Sequence, residues 1–325
     1  MRLFILLIVK TLFIILPLLI SVAFFTIAER KIMGSIQIRK GPNVVGYIGL
    51  LQPLADGLKL FIKESVFPNS SNELIFLIAP LMALILSIMG WSVIPFSKGL
   101  FLSDLNLGII YLFCISGFNV YSLLFAGWGS NSKYAFLGAV RSTAQMISYE
   151  ISLSFLSLII IISVNSYNLS NIILSQEHIW FILPYFPLFI IFYICILAET
   201  NRHPFDLPEA ESELVSGYNI EYSGMSFALF FLAEYGNMLL MSILGSILFF
   251  GGWFISKLIC IFPDSLLLGL KICMGVIYFI INRSILPRFR FDQLMELGWI
   301  FFLPLILGYL FLFLTIFINL NGLPN

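Results

Sequence analysis

The sequence predicts an all-α polytopic membrane protein with about eight transmembrane helices. Hydrophobic residues make up 60% of the 325 positions, aromatic residues 16% and charged residues only 10%. No soluble fold of this length could bury so much apolar surface, whereas lipid-facing side chains can be as apolar as those inside. Apolar runs of about 20 residues recur along the chain, as membrane-spanning helices require. The formal net charge is zero and gives no indication of nucleic-acid binding.

Eight segments satisfy this length and composition rule within a single membrane domain, residues 1–325. Their approximate bounds are Leu3–Ala28, Leu74–Phe96, Leu107–Gly127, Ser142–Val164, Ile179–Ala198, Met225–Phe250, Ser265–Leu286 and Trp299–Leu320. The first follows Arg2 as a signal peptide would, but it far exceeds the roughly 7–15 apolar residues of such a peptide. It is therefore expected to be a membrane span and not a cleaved leader.

The distribution of Lys and Arg predicts the orientation. Twelve of the seventeen basic residues fall after spans 1, 3, 5 and 7, and three fall in the opposite connections. Because inner loops carry the excess of positive charge, both termini are expected on the outer side. The inner loops are then residues 29–73, 128–141, 199–224 and 287–298, approximately.

The first inner loop contains an amphipathic stretch at residues 49–64. Its apolar residues recur at helical spacing, its charged residues lie on the opposite face, and Pro53 suits a first helical turn. The apolar positions are Leu54, Leu58, Phe61 and Ile62, and the charged ones are Asp56, Lys59 and Lys63. The segment is too short to cross a bilayer, so we expect a helix at the membrane interface.

Ionisable residues also occur inside the predicted spans, where each is costly and usually functional. They are Glu150, Glu199, Glu234 and Lys271. Carboxylates on different helices suit a proton relay through the bundle, and the alternative is that neutral or paired groups fix helix packing. An unpaired ammonium is expensive in a bilayer, so we expect Lys271 to have a carboxylate within reach, directly or through one or two waters, with Glu234 the first candidate.

The loop at residues 199–224 concentrates negative charge, with six of the seventeen acids in 26 positions. Pro208 can begin a helix whose positive end tolerates Glu209, Glu211 and Glu213. Glu209 and Glu213 share a face, so their repulsion is expected to raise at least one pKa and to permit proton exchange. The alternative is a solvated acidic loop, which the flanking prolines and interleaved apolar residues disfavour.

Nothing in the sequence predicts a metal or redox cofactor on this chain. The four cysteines are far apart, there are only two histidines, and no C-x-x-C pair occurs. No G-x-G-x-x-G follows a predicted strand, so no dinucleotide site is expected.

Five stretches carry a resemblance to a known family. They are AERKIMGSIQIRKGPNVVGYIGLLQPLADGLKLFIKE (28–64), GWGSNSKYAFLGAVRSTAQMISYE (127–150), AETNRHPFDLPEAESELVSGYNIEYSG (198–224), FFLAEYGNM (230–238) and PRFRFDQLM (287–295). In order and content they resemble the subunit 1 family of the proton-pumping NADH:ubiquinone oxidoreductase, respiratory complex I. The resemblance runs nearly end to end.

That resemblance implies a role for each site position. It places near a quinone chamber Glu29, Arg30, Arg39, Asp56, Arg141 and Arg283. It places in an acidic coupling loop Asp206, Glu209, Glu211 and Glu213. It places on or beside an intramembrane proton path Tyr149, Glu150, Glu199, Glu234 and Lys271.

The resemblance also implies the molecular setting. The chain would enclose most of a tunnel for ubiquinone, its substrate, and would couple quinone reduction to proton translocation as one subunit of the enzyme. NADH, FMN and iron–sulfur clusters would be held by partner subunits of the redox arm, and small membrane-arm subunits and lipid would also contact it. The expected location is the mitochondrial inner membrane, with both termini in the intermembrane space, or alternatively a bacterial plasma membrane. Two other functions stay open: the membrane anchor of a related energy-converting hydrogenase and a secondary proton-coupled transporter.

Overall fold

The computed structural model describes residues 2–207, 217–254 and 263–319, with side chains from residue 8 onward, and every regular element in these ranges is helical. Seven helices are long or central to the bundle: α1 (Arg2–Ile36), α3 (Glu73–Gly90), α4 (Gly108–Gly129), α5 (Lys133–Val164), α7 (Phe186–Glu199), α8 (Met225–Phe249) and α9 (Asp264–Ile285). Two shorter helices, α2 (Gln52–Ile62) and α6 (Leu169–Ser175), lie in connections. Near the end of the chain, α10 (Phe291–Glu296) continues through a π-helical turn into α11 (Leu303–Asn319).

Seven of the described helical segments are long and apolar enough to cross a membrane. Their bounds are Ile8–Ile36, Glu73–Val93, Gly108–Gly129, Lys133–Val164, Met225–Phe249, Asp264–Ile285 and Phe291–Asn319. The remaining predicted span corresponds to α7, which is apolar but has only 14 residues. The structure therefore confirms an all-α polytopic membrane protein.

Several predicted spans differ from the observed helices at one end, and the starts of the fourth and fifth have a local cause. The span predicted at Ser142–Val164 begins nine residues earlier, because Ser132 caps α5 by accepting a hydrogen bond from the Ala135 amide at 3.3 Å. The span predicted at Ile179–Ala198 begins later, at Phe186. Residues 179–185 form turns, and the Ile182 amide donates to the Phe249 carbonyl at 3.1 Å. Composition alone cannot distinguish an apolar helix from an apolar turn that packs on another helix.

The helix α8 is the centre of the bundle and packs against α1, α3 and α9. Small residues allow these helices to approach closely, as is common within membranes. At the α8–α9 crossing, a Cβ on Gly275 would lie only 2.8 Å from the Cβ of Ser242. The bundle therefore fixes the relative positions of side chains that come from distant parts of the sequence.

The first helix places one acidic residue in this bundle. In α1, Leu18, Val22, Phe25 and Glu29 are buried at spacings of three and four residues, so they share one face. The opposite face, which includes Phe13 and Phe24, is exposed and suited to lipid. The helix also continues to Ile36, eight residues beyond its predicted end at Ala28.

The amphipathic helix predicted in the first inner loop is confirmed as α2, with a proline in its first turn. No residue of α2 is buried, and its apolar face remains exposed in this chain. The exposed residues are Leu54, Leu58, Phe61 and Ile62. These side chains are arranged as an interfacial helix requires.

Candidate functional site

The end of α7 determines where the next residues go. Asn201 has a positive φ of 47°, its amide donates to the Ala198 carbonyl at 3.2 Å, and the Arg202 amide donates to the Leu197 carbonyl at 3.0 Å. This pair of bonds is a Schellman motif, in which a left-handed residue closes the last helical turn. Asn tolerates that conformation better than most residues. The motif turns the chain so that Arg202 points into the bundle, where it is 6% exposed.

Arg202 enters a buried ionic cluster with Glu29, Tyr235 and Arg283. The guanidinium groups of Arg202 and Arg283 both donate to Oε1 of Glu29. The Tyr235 hydroxyl donates to Oε2 of Glu29 at 2.5 Å and accepts from Arg202 at 3.2 Å. Four elements therefore meet at one carboxylate: α1, the turn after α7, α8 and α9.

The cluster carries one more positive than negative charge. Glu29 is 4% exposed and its carboxylate accepts three hydrogen bonds, which offsets the cost of burying it. The Arg202 guanidinium also lies over the Tyr235 ring, 5.1 Å from its centroid. Among these described side chains, two guanidinium groups face one carboxylate, and cations favour an anion or a developing negative charge nearby.

A second ionic pair forms beside the cluster, in the loop that follows Arg202. Asp206 is buried, and its Oδ2 lies 3.7 Å from Nη2 of Arg288. His203 is half-buried near the guanidinium groups of Arg288, Arg283 and Arg202. Burial lowers the pKa of its imidazole below the ordinary value, and the three positive charges lower it further. The imidazole is therefore neutral near pH 7, so it adds no further positive charge there.

Arg30 and Asp56 also meet, as their predicted common site requires, but on a more open surface. Nη1 of Arg30 donates to Oδ2 of Asp56 at 2.8 Å, and the Gln52 amide donates to the other oxygen at 3.0 Å. These contacts join the polar edge of α2 to α1. The two charged side chains are 50% and 37% exposed, so water screens the pair and its contribution to stability is small.

Two other predicted chamber residues lie apart from these groups. Arg39 is exposed, and its Nε donates to the Gln37 side chain at 2.8 Å. Arg141 is half-buried in α5 and lies over the Phe291 ring, 5.9 Å from its centroid. Arg141 therefore joins α5 to the start of α10, whereas no described contact connects it to Glu29.

Two of the predicted proton-path carboxylates are associated with one interior cavity. The cavity is small and partly open, and its lining includes Ser116, Asn119, Glu199, Thr200 and Asn237. The Ser116 hydroxyl donates to Oε1 of Glu150 at 3.1 Å. Glu199 is 4% exposed, and neither of its carboxylate oxygens has a hydrogen-bond partner among the described residues. Because an unpaired buried charge is costly, this group must carry a proton or be hydrated through the cavity.

The other two proton-path residues do not pair with each other. Oε1 of Glu234 accepts a hydrogen bond from the Tyr218 hydroxyl. Nζ of Lys271 instead donates to the carbonyls of Phe250, Gly252 and Phe254 at 2.6, 2.7 and 2.6 Å. Within the described part of the chain, Lys271 has no direct carboxylate partner, and a contact with Glu234 through one or two waters stays a prediction. The carbonyl of Phe250, which caps α8, and those of Gly252 and Phe254 just after it satisfy the ammonium.

Tyr149 is fully buried in α5, and its hydroxyl donates to the Leu294 carbonyl at 2.8 Å. Its side chain thus joins α5 to α10 and is not at the cavity lining. The remaining acidic-loop residues, Glu209, Glu211 and Glu213, lie outside the described residues.

Sequence reasoning missed two members of the buried cluster, Arg202 and Tyr235. A signal existed for the first, since Arg202 is the single arginine in a stretch with six acids. Tyr235 directly follows Glu234 on α8, and a step of about 100° per helical residue turns it toward a different neighbour. Only the packing of α1 against α8 shows that this neighbour is Glu29.

Comparison with known proteins identifies the family of the chain. Residues 9–314 match the family model described as NADH dehydrogenase. NADH-ubiquinone oxidoreductase chain 1 of Chondrus crispus is 54% identical, over 98% of this chain and 98% of the relative. A NADH-quinone oxidoreductase subunit of the bacterium Paramagnetospirillum magneticum is 55% identical over 96% and 92%. NADH-ubiquinone oxidoreductase chain 1 of Arabidopsis thaliana is 55% identical over 91% and 92%. Matches of this length and identity show that the chain belongs to the NADH dehydrogenase family.

Proposed function

We propose that the chain is a membrane subunit of a proton-pumping NADH:ubiquinone oxidoreductase, that it forms most of the ubiquinone-access tunnel, and that it couples quinone reduction to proton translocation. Its full-length similarity to oxidoreductase subunits supports the assignment to the enzyme. One observation supports the coupling of quinone reduction to proton translocation. The short segment 199–206 contains Glu199 and Thr200 at the cavity, Arg202 in the ionic cluster and Asp206 beside it.

In this proposal, the ionic cluster around Glu29 and the Arg30–Asp56 pair form the polar part of the quinone chamber and act electrostatically. Ubiquinone takes up two electrons and two protons to become ubiquinol, and negative charge develops on its oxygens before the protons arrive. The net positive cluster around Glu29 would stabilise that charge, and Arg30 and Asp56 would provide the polar end of the tunnel. The electrons would come from partner subunits, in which NADH, FMN and iron–sulfur clusters supply the redox chemistry. This chain's own residues would bind, orient and exchange protons.

Proton transfer would use the carboxylates that face the interior cavity. Negative charge in the chamber would favour protonation of neighbouring carboxylates such as Asp206. The loop residues Glu209, Glu211 and Glu213, which the family resemblance places beside the chamber, would respond in the same way. Glu199 lines the cavity, Glu150 accepts a hydrogen bond from the lining residue Ser116, and Asn237 brings α8 to the same cavity one turn beyond Glu234. Water in the cavity would connect these groups over distances that side chains alone do not bridge.

The location and orientation follow the same proposal. Similarity to chain 1 of Arabidopsis thaliana and Chondrus crispus supports a mitochondrial inner membrane, with both termini in the intermembrane space according to the Lys and Arg distribution. Equal similarity to the bacterial relative keeps a bacterial plasma membrane as the alternative. Redox-arm subunits would cover the inner face, and small membrane-arm subunits and lipid would surround the helices.

The experiment compares Arg202→Lys and Glu199→Gln with the parent in membranes that contain the assembled complex. We expect Arg202→Lys to lower NADH-dependent quinone reduction, because one amine cannot reproduce the guanidinium contacts to Glu29 and Tyr235. Glu199→Gln should lower quinone reduction and proton pumping together. Reduction of an artificial acceptor that bypasses quinone should not change in either variant.

The control is Glu73→Gln, which neutralises an exposed carboxylate in the first turn of α3. It should behave like the parent in all three assays. Parent-level quinone reduction and pumping in both test variants, with the complex assembled, would contradict the proposed function. Co-purification of this chain with hydrogenase subunits, or proton-coupled transport by the chain alone, would favour the two alternative functions.

A further inference from the structure

Gln145 is a fully buried amide in α5 that joins the two ends of the segment carrying Arg202. Its Nε2 donates to the Ala198 carbonyl at 2.8 Å and to the Phe205 carbonyl at 2.9 Å. Two carbonyl acceptors require the nitrogen of the amide, so the orientation of the side chain is determined. The residue is 0% exposed, so water does not compete for either bond.

The two carbonyls are also part of the local structure of the segment. The Ala198 carbonyl accepts the Asn201 amide of the Schellman motif at 3.2 Å. At the other end, the Phe205 amide donates to the Arg202 carbonyl at 2.9 Å. Gln145 therefore holds the last turn of α7 and the turn after Arg202 at a fixed separation.

A second contact from α5 holds the same segment. Tyr149, one turn after Gln145, stacks on the Phe205 ring with 6.2 Å between centroids and an interplanar angle of 28°. Its hydroxyl is fixed by the Leu294 carbonyl at 2.8 Å. The backbone and the side chain of Phe205 are thus both restrained by α5, whereas neither Gln145 nor Tyr149 has a described hydrogen bond to Glu29 or Arg202.

We propose that Gln145 is a positioning residue for the quinone chamber: by holding the Ala198 and Phe205 carbonyls, it fixes the backbone from which Arg202 reaches Glu29 and Tyr235. This inference depends on the proposed function, since it assumes that the cluster acts on quinone. Gln145 does not touch the substrate; it acts through the guanidinium of Arg202. A small displacement of that group would weaken stabilisation of charge on the quinone.

The test uses the assembled complex and two variants of Gln145. Gln145→Met keeps a similar volume and loses both donors, and we expect kcat/KM for a short-chain ubiquinone to fall about tenfold or more. Gln145→Glu retains one donor only while its carboxyl group is protonated. Its quinone turnover relative to the parent should therefore fall as pH rises, a response that a purely space-filling role would not produce. Artificial-acceptor activity should be unchanged in both variants.

The matched control is Ser142→Ala, because Ser142 is equally buried on α5 and the one described hydrogen bond of its hydroxyl is to the Ala139 carbonyl of the same helix. A double-mutant cycle with Arg202→Lys then tests the path of action. If Gln145 acts through Arg202, Gln145→Met should lower kcat/KM by a smaller factor in the Arg202→Lys background than in the parent. We expect that factor to be at most half of the factor in the parent.

Several outcomes would overturn the inference. They are parent-like quinone kinetics for Gln145→Met, fully additive effects in the cycle, or failure of both Gln145 variants to assemble while Ser142→Ala assembles. The last result would make Gln145 a folding residue. The failures of the two proposals remain distinguishable. Parent-like quinone turnover of Arg202→Lys would contradict the role of the cluster in the quinone chamber. Slow quinone turnover of Arg202→Lys together with parent-like turnover of Gln145→Met would contradict only the positioning role of Gln145.

Discussion

Glu29 and Arg30 are adjacent in α1 and have opposite surroundings. Glu29 is buried among two guanidinium groups and a tyrosine hydroxyl, whereas the Arg30 side chain is 50% exposed beside Asp56. Successive residues of a helix are separated by about 100°, so neighbours in sequence face different partners. The two residues should therefore respond very differently to the loss of charge.

We expect Glu29→Gln to prevent assembly or to destabilise the assembled complex by roughly 3–5 kcal/mol, because it leaves two guanidinium groups without their counter-charge. Arg30→Gln should cost less than about 1 kcal/mol, because its pair with Asp56 is screened by water. Native gel analysis and thermal unfolding of the complex measure both effects. Equal stability of the two variants would contradict the buried cluster.

His203 makes a prediction about acid sensitivity. Its pKa is lowered in the folded chain by burial and by the three neighbouring guanidinium groups, so the unfolded chain binds a proton more readily. Stability contributed by the neutral imidazole is present above the unfolded pKa of about 6.5 and is lost as the pH falls through the lower, folded value. In His203→Gln, the decrease in Tm on acidification below about pH 6.5 should be smaller than in the parent. An identical decrease in both proteins would show that His203 does not titrate in this way.

Among single residues, the sequence indicated which positions are charged in an apolar chain, but not their partners. Glu29, Glu150 and Glu199 were expected to be functional. The structure places Glu29 in an ionic cluster, Glu199 at a cavity and Glu150 in contact with Ser116, which lines that cavity. The carbonyls that Lys271 contacts were not predicted, because backbone acceptors leave no mark in the sequence. Tyr235 was missed for a similar reason, since a tyrosine in a span is usually a packing residue.

At the level of elements, the end of α7 determines the direction of the site segment. Asn201 adopts a left-handed conformation there, with φ of 47°, and both bonds of the Schellman motif depend on it. Because Thr200 lines the cavity and Arg202 enters the cluster, a change in this turn would move both. The turn is therefore a structural requirement of the site that no charged residue reveals.

We expect Asn201→Val to destabilise the protein by about 1–2 kcal/mol, because a β-branched residue is strained at positive φ. Asn201→Gly should remain within about 0.5 kcal/mol of the parent, because glycine adopts this conformation freely. Quinone turnover should follow stability, with Asn201→Val slower than Asn201→Gly. Thermal unfolding and quinone reduction measure the difference, and the reverse order would contradict the assigned turn.

Helix boundaries were less predictable than helix existence. Each of the eight expected segments contains a helix, since length and hydropathy identify apolar runs well. The start of α5 depends on the Ser132 cap, and the start of α7 depends on where residues 179–185 pack on Phe249. Both are tertiary or local hydrogen-bonding effects that hydropathy does not contain.

At the scale of the whole molecule, the site is assembled from residues nearly the full chain apart. The hydrogen bond from Arg283 to Glu29 joins positions separated by 254 residues. The resemblance named Glu29 and Arg283 together, whereas spacing within one helix carries no information about a distant helix. Arg39 and Arg141, also named by the resemblance, have other described contacts, and their place near the chamber stays a prediction.

The acidic coupling loop makes a prediction for the assembled enzyme. If Glu209, Glu211 and Glu213 share protons, the double variant Glu209→Gln with Glu211→Gln should do more than twice the damage of either single variant. Quinone-dependent turnover and proton pumping should fall together, while artificial-acceptor activity stays nearly unchanged. The assays compare membranes with the single and double variants after assembly has been confirmed. Parent-level rates in the double variant would show that the loop is only a solvated connection.

The shortness of α7 has a consequence for how membrane voltage acts on the site. Fourteen residues span about 21 Å, less than the roughly 30 Å of bilayer hydrocarbon. The segment before α7 packs at the C-terminal end of α8, and Arg202 contacts Tyr235, ten residues into that helix. In the orientation that the Lys and Arg distribution predicts, Glu199 and Arg202 would lie below the inner surface. A proton that reached Glu199 from that side would then cross part of the transmembrane electric field, so its occupancy would depend on voltage as well as on bulk pH.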